Sequence, residues 1–392
     1  MRVCGIVAEY NPFHNGHKYL IDKIREIGFD YIVAVMSGNY VQRGEPAILD
    51  KRLRTKQALA NGVDLVVELP LPFAVSSAEK FALGSVCILD SLGVVDSLCF
   101  GSECGNTDIL KKISEVDVKG KINSYLNDGR TYASAVQSLI ENELGSEYSD
   151  VLSTPNNILG IEYIKAINRL ESKISPITIK REGVCHDSDK PEGDFCSASY
   201  IRSNIGNDSI FSFMPDSSKE IIKKAISNKI CPISLEKNER VVLSYIRRYD
   251  SEYFSSLPDA SEGIENRLYS AVREARSLDE LYSMVKTKRY TMARVKRLVL
   301  NAFLGVTADY TEVLPPYIRV LGLNEKGREI LKNAKGSATK PILTLASDFS
   351  KSDEMCKKFY SLECRATDLY SSLADEIQPC GIEQAEKAVI VK

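Results

Sequence analysis

The sequence has no Gly-x-x-x-x-Gly-Lys-[Ser/Thr] segment, and no Gly-x-Gly-x-x-Gly run follows a strand-like stretch. Neither common glycine-rich phosphate cradle is available to it. Its ten cysteines include no Cys-x-x-Cys pair, and His-Glu-x-x-His is absent, so the usual zinc and dithiol patterns are excluded. No apolar stretch approaches the roughly 18 residues that a membrane span needs. There is no secretory pattern at the start. A cytoplasmic chain with reduced thiols and no membrane partner is expected, and a disulfide framework is not expected at 392 residues. The chain also lacks an excess of charge. At a net −2, any nucleic acid must be held by a local basic patch rather than by a basic fold.

The first two hundred residues alternate strand-like and helix-like patterns. Strands are predicted at 2–8, 31–37, 65–68, 97–100 and 177–180, and helices at 16–27, 50–61, 77–92, 107–114, 132–142 and 156–168. Such alternation predicts an α/β fold with a Rossmann-like, doubly wound parallel sheet. From about residue 206 the strand signals thin out. Helical patterns then cover 217–227, 236–248, 264–277, 278–287 and 290–303, with two short apolar runs at 341–346 and 385–391. We therefore divide the chain into a nucleotide-binding part, 1–205, and a mostly α-helical domain, 206–392, joined by the polar stretch 204–216.

Two of only three histidines stand together, in His14-Asn15-Gly16-His17. An apolar run, 3–8, precedes them, and Leu20, Ile21, Ile24 and Ile27 follow at helical spacing. Both imidazoles thus fall in the first turn of a helix just past the carboxyl end of a strand. There the unpaired N–H groups and the positive dipole end favour an anion. Two histidines on one face also suit zinc, but no third ligand has a matching spacing. A second helix start, Ser197-Ala198-Ser199-Tyr200-Ile201-Arg202, offers a capping serine and an arginine one turn in.

The HNGH turn and the SASYIR helix start together resemble the marks of the nucleotidylyltransferase superfamily, whose members cleave ATP at its α-phosphate. Longer runs narrow the resemblance: 36–47 (MSGNYVQRGEPA), 67–73 (VELPLPF), 76–82 (SSAEKFA), 100–103 (FGSE) and 155–160 (PNNILG). These are very similar to the bacterial tRNA(Met) cytidine acetate ligases across the first two hundred residues, with a weaker echo at 262–267 (EGIENR). The resemblance implies activation of acetate with ATP to acetyl-adenylate, release of pyrophosphate, and transfer of acetyl to N4 of the wobble cytidine of elongator tRNA(Met). It also implies an ATP site made of Val7, Ala8, Glu9, Tyr10, Asn11, Pro12, Phe13, His14, Asn15, Gly16 and His17, with Gly101, Asn157 and Arg181. In that assignment Gly101 lets adenine or ribose approach the backbone, Asn157 reads ribose or acyl-phosphate oxygens, and Arg181 contacts phosphate. Ser199 and Arg202 join from the superfamily motif, His14 and His17 are the catalytic phosphate donors, and Mg²⁺ is expected to accompany ATP. The loop 39–47 is expected to cover the site, with Arg43 and Glu45 ordering the acyl group or a neighbouring loop.

For RNA the strongest signal is 286–297, where Lys286, Lys288, Arg289, Arg294, Lys296 and Arg297 occur without an acid. They are candidate tRNA-backbone contacts, and Tyr290 among them is a candidate for base stacking. Residues 320–331 faintly resemble a helix-hairpin-helix turn, although an ordinary helix-to-helix connection explains them better. His186, between Cys185 and Asp187, gains no dyad from adjacency alone.

Two rival functions stay open at this point. One is a small-molecule adenylyltransferase acting on a phosphorylated metabolite, against which the extra helical half counts. The other is an inactive RNA-binding protein, against which the intact His14, Gly16, His17 and Arg202 count.

Overall fold

In the computed structural model the described residues are 1–126, 131–181, 191 and 193–391. The strands are β1 (Val3–Ala8), β2 (Tyr31–Ser37), β3 (Tyr40–Val41), β4 (Glu45–Pro46), β5 (Leu65–Leu69), β6 (Ser97–Ser102), β7 (Ser175–Lys180), β8 (Ile318–Leu323), β9 (Ile342–Leu343) and β10 (Val389–Ile390). Eight of them form one sheet in the order β10-β8-β5-β2-β1-β6-β7, with β9 beside β8. The strands from β5 to β7 in that order all pair in parallel. The winding reverses at β1, so a crevice opens past the carboxyl ends of β1 and β6. Val33, Val35, Val67 and Leu98 face one core, and Ile6, Ile32, Ala34 and Val66 face another. Helices on both sides bury both sheet faces, which explains why these strands read as near-continuous apolar runs.

Helix α1 (Asn15–Glu26) buries Ile21 and Ile24 against the second of these cores and places Lys23 and Arg25 at its negative end. Helix α2 (Lys51–Ala60) differs in kind, because it buries Lys51, Arg52 and Arg54. Both α1 and α2 lie at the positions expected from their spacing.

The second half departs from expectation. Residues 318–323 are the strand β8, antiparallel to β5, and helix Glu325–Ala334 follows after the Asn324 cap. The stretch 320–331 is therefore a strand-to-helix turn, neither a helix-hairpin-helix nor a helix-to-helix connection. The runs at 341–346 and 385–391 supply only the two-residue strands β9 and β10. Residues 206–392 thus extend the sheet as well as forming helices. The stretch 204–216 is not an open linker either: Ile210, Phe211 and Met214 pack with Ile48, Leu49 and Ile201. Among the described residues, no helix is long and apolar enough to cross a membrane.

A buried ion cluster fastens the late segments to the strand ends. Lys51 Nζ lies 2.6 Å from Glu68 and 3.0 Å from Glu383. Arg319 lies 2.9 Å from Glu68 and also pairs with Glu383. Thr367 Oγ1 donates to Glu383 at 2.5 Å. Glu363, whose carboxylate accepts the Leu71 N–H at 2.5 Å, is pushed up to about 8 by burial and by Glu68. Glu68 and Glu383 are the carboxylates that face Lys51 and Arg319. Removing one partner strands a buried charge. We expect Lys51→Met to cost about 3–5 kcal/mol in urea unfolding, and Asp22→Asn, in the exposed pair with Lys18, at most about 1 kcal/mol. Equal losses would mean that the cluster is not a closed buried network.

Candidate nucleotide-binding site

The chain leaves β1, turns through buried Tyr10 to Phe13, and enters α1 at His14. His14 is the N-cap, with extended backbone at φ −139° and ψ 175°. The Gly16 N–H donates to His14 Nδ1 at 3.0 Å, and the His14 N–H donates to His17 Nδ1 at 3.2 Å. The two side chains thus cap the first turn reciprocally. Because both Nδ1 atoms accept, both rings carry their proton on Nε2, leaving two N–H donors. The rings lie 3.9 Å apart, centroid to centroid, and Tyr10 meets His17 edge-on at 4.9 Å.

Burial, with the Arg181 and Arg202 charges, pulls His14 down to about 3. Burial, His14 and Arg181 hold His17 well below its ordinary value. Both are neutral at physiological pH, so positive charge at this site comes from the arginines and from the helix end. No acid stands in the first turn of α1.

The predicted partners gather here in different roles. Arg202, on helix Ala198–Ser203, donates to the Asn11 carbonyl at 3.0 Å and to Ser199 Oγ at 3.1 Å. Ser197 caps that helix by accepting from the Tyr200 N–H at 3.0 Å. Gly101 ends β6 beside Arg181, and a Cβ there would meet Arg181 Cγ at 3.2 Å. The Arg181 N–H donates to the Ser102 carbonyl at 3.0 Å. Asn157 is buried with its side chain occupied by protein. It accepts from Cys104 N–H at 3.1 Å and donates to Val151 O at 3.0 Å and Thr154 Oγ1 at 2.6 Å. Through these bonds it anchors the loop after Gly101 to the start of helix Pro155–Arg169. Asn15 is likewise engaged, donating to Asp194 O at 2.9 Å and Ser212 O at 3.3 Å. His186 lies outside the described residues.

Arg54, which the sequence reading passed over, is fully buried and ties the strand ends together. It donates to Leu49 O at 2.8 Å, Glu9 O at 2.5 Å and Ser37 O at 3.2 Å, and also to Gly38 O. Glu9 in turn accepts the Gln42 N–H at 2.8 Å. The loop 39–47 is the hairpin β3–β4. It is fastened from behind: Tyr40 Oη donates to Ala366 O at 3.1 Å, and Tyr370 Oη donates to Ala47 O at 2.8 Å. Glu45 pairs with Lys296, so it orders a neighbouring helix.

The basic run divides. Lys286, Lys288 and Arg289 are exposed before helix Met292–Leu304. Arg294 pairs with Glu262 at 3.2 Å, Arg297 approaches Asp259 at 3.9 Å, and Lys296 holds Glu45. Tyr290 is buried and donates to Glu262 O at 2.5 Å. Its ring is part of the core and is not open to a stacking base, which corrects that expectation.

Two outcomes test this geometry. A Cβ on Gly16 would sit 2.9 Å from His14 Cε1, so Gly16→Ala must push the ring off its cap. We expect a loss of about 1 kcal/mol in stability, together with weaker ATP binding; unchanged values in both would exclude the reciprocal cap. The second outcome follows from proton linkage. The unfolded chain protonates His14 near pH 6.5, whereas the folded chain holds it neutral to about pH 3. Between these values the unfolded state binds more protons, so stability falls as pH falls, by about 1.4 kcal/mol per unit. Above pH 6.5 both states are neutral and the contribution is flat. His14→Gln is expected to make the stability slope between about pH 4 and 6 shallower by that amount, read from urea midpoints.

A profile of the HIGH Nucleotidyl Transferase family matches residues 1–385. The tRNA(Met) cytidine acetate ligase of Thermoanaerobacter sp. (strain X514) is 40% identical over 384 residues, covering 95% of each chain. That of Acetivibrio thermocellus is 41% identical over 392 aligned residues, covering 94% of each. The apo crystal structure of Thermotoga maritima TmcAL superposes with a TM-score of 0.94 at 33% identity, covering all of both chains. The same protein bound with alpha-thio ATP gives 0.92 at 33% identity, over 100% of this chain and 99% of that one. This chain belongs to the HIGH nucleotidyl transferases and, within them, to the tRNA(Met) cytidine acetate ligase family.

Proposed function

We propose that the protein is an ATP-dependent ligase that acetylates N4 of the wobble cytidine of elongator tRNA(Met) in the cytoplasm. The observation that carries this reading is the pair of neutral imidazoles capping α1 through Nδ1, which leaves each Nε2–H as a donor beside Arg181 and Arg202. The thio-ATP complex of the Thermotoga maritima neighbour supports ATP as the nucleotide.

In the first step an acetate oxygen attacks the α-phosphorus and forms the acyl–phosphate bond. The bond from that phosphorus to the bridging oxygen breaks, and pyrophosphate leaves with the electron pair. Charge grows on the phosphate oxygens, where prealigned N–H donors act without reorganising. In the second step the cytidine amine attacks the acetyl carbonyl, AMP leaves, and the amine loses a proton. Nothing in this scheme needs a covalent enzyme intermediate, because positioning carries much of the work.

Among the described residues no group of three or more His, Cys, Asp or Glu is placed to hold a metal. A Mg²⁺ entering with ATP would therefore be carried on phosphate oxygens rather than in a dedicated protein cage. Residues 1–205 supply the nucleotide chemistry in this scheme, and residues 206–392 contribute to tRNA binding through Lys286, Lys288 and Arg289.

Incubation with ATP, labelled acetate and unmodified tRNA is expected to place label in N4-acetylcytidine. Adenylate appearing instead on a phosphorylated metabolite would replace this reading with an adenylyltransferase, and tRNA binding without ATP turnover would replace it with an inactive binder. His14→Ala and His17→Ala should each lower turnover by about 100- to 1000-fold and keep tRNA binding. Lys288→Gln with Arg289→Gln should weaken tRNA binding and flatten the plot of log affinity against log salt by about two units. An unchanged slope would remove these cations from the interface.

A further inference from the structure

A tyrosine–arginine column on the helical half takes no part in the function above. Helices Glu239–Ile246 and Ser251–Ser255, with the short joint between them, bring Tyr245, Arg248, Tyr249 and Tyr253 together. The Arg248 guanidinium lies 3.8 Å from the Tyr245 ring centroid and 5.2 Å from that of Tyr249. Tyr249 and Tyr253 are stacked, with centroids 3.7 Å apart and planes 14° from parallel. The column is rooted in the core: Tyr245 meets buried Phe303 edge-on at 5.4 Å, and Tyr253 Oη donates to Ala302 O at 3.3 Å. Its top is open, with Arg248 exposed and the three tyrosines half-buried. Beside it lies a cavity of about 360 Å³ lined by Arg248, Tyr249, Asp250, Glu252, Tyr253 and Ser256.

The geometry points to a stacking site, at Arg248, Tyr249 and Tyr253, for one unpaired nucleobase of the RNA substrate. The inference rests on the tRNA reading above. Unpaired bases are recognised by stacking on aromatic rings and on arginine planes, and this cavity offers both on its walls. Asp250 and Glu252 on its rim repel a phosphate but accept from an exocyclic amine or a ring N–H, so the cavity favours a base over the backbone.

Its place in the fold suits an RNA loop. Ala302 and Phe303, which root the column, end helix Met292–Leu304, and exposed Lys288 and Arg289 precede that helix. Lys296, which holds the β3–β4 hairpin through Glu45, stands six residues before Ala302, about 9 Å of helix rise. One helix therefore links backbone-type cations, the hairpin beside the nucleotide site, and the stack.

The test uses the full-length protein and an anticodon stem-loop carrying 2-aminopurine at one unpaired position at a time. The chain has no tryptophan, so quenching of the probe reports stacking on tyrosine or arginine without tryptophan interference. Wild-type protein is expected to quench one position. Tyr249→Ala should abolish that quenching and weaken affinity by about 5- to 150-fold, with the salt slope unchanged, because stacking releases no counterions. Tyr249→Phe keeps the ring and should restore both. Thermal melting of each variant, and Tyr249→Phe in particular, separates lost stacking from lost folding. Full affinity and full quenching in a folded Tyr249→Ala, while wild-type protein acetylates tRNA, would overturn the stacking site alone. If wild-type protein acetylates no tRNA, the function it rests on has failed instead.

Discussion

The reciprocal hydrogen bonds at the start of α1 are the constraint on which the rest of the site depends. Helix N-termini are usually capped by Ser, Thr, Asp or Asn. An aspartate at this position would satisfy the first-turn amides but would put a negative charge at the proposed phosphate site. Imidazole resolves the conflict. Nδ1 of His14 and of His17 each satisfies a backbone N–H, and the ring contributes no charge, because burial holds both residues neutral. The same bonds fix the tautomer, so the capping geometry and the Nε2–H donors are one structural fact. Gly16 follows from it, since a side chain there would occupy the space of the His14 ring.

A site built from donors that must not move needs strand ends that do not move. Arg54 gathers the carbonyls of Glu9, Ser37 and Gly38, which fixes the exits of β1 and β2 relative to each other. Behind them, Lys51, Glu68, Arg319 and Glu383 bind β5 and β8 to the C-terminal helices. The hairpin β3–β4 is held between Glu9 in front and Ala366 and Tyr370 behind. Such buried ion clusters add less to stability than matched apolar packing would, but they tolerate little rearrangement, and that serves preorganisation. Glu363 lies beside the cluster, with its proton affinity raised by burial and by Glu68.

The sequence made legible what depends on short-range pattern. Strands β1, β2, β5 and β6 appear as apolar runs because both faces of the sheet are covered, the edge strand β7 appears through alternating Ile177 and Ile179, and α1 appears through the spacing of Ile21 and Ile24. The HNGH turn is legible because its chemistry is local. The long-range arrangement is not. Arg319 and Glu68 meet across 251 residues, so no short-range pattern marks Lys51, Glu68, Arg319 and Glu383 as partners. Strand β8 is flanked by helix signals and takes its place from pairing with β5. Tyr290 lies in a basic run that suggests solvent, yet its hydroxyl is spent on Glu262. The contacts of Asn157 with Cys104, Val151 and Thr154 were not legible, because the loop geometry sets them.

The proposed substrates are both polyanions, and the two regions assigned to them meet that charge differently. The proposed nucleotide site combines neutral N–H donors, an acid-free helix end and Arg202 tied to a backbone carbonyl. Its affinity for phosphate rests on geometry, so a flexible RNA backbone gains little there. Lys286, Lys288 and Arg289 are exposed cations on the surface, suited to a backbone of variable shape and screened by salt. Arg294, Lys296 and Arg297 are withdrawn from that surface by their carboxylate partners. With a net charge of −2, binding of either polyanion rests on local groups rather than on overall charge. In the proposed scheme, which cations are paired and which stand exposed keeps the two polyanions apart.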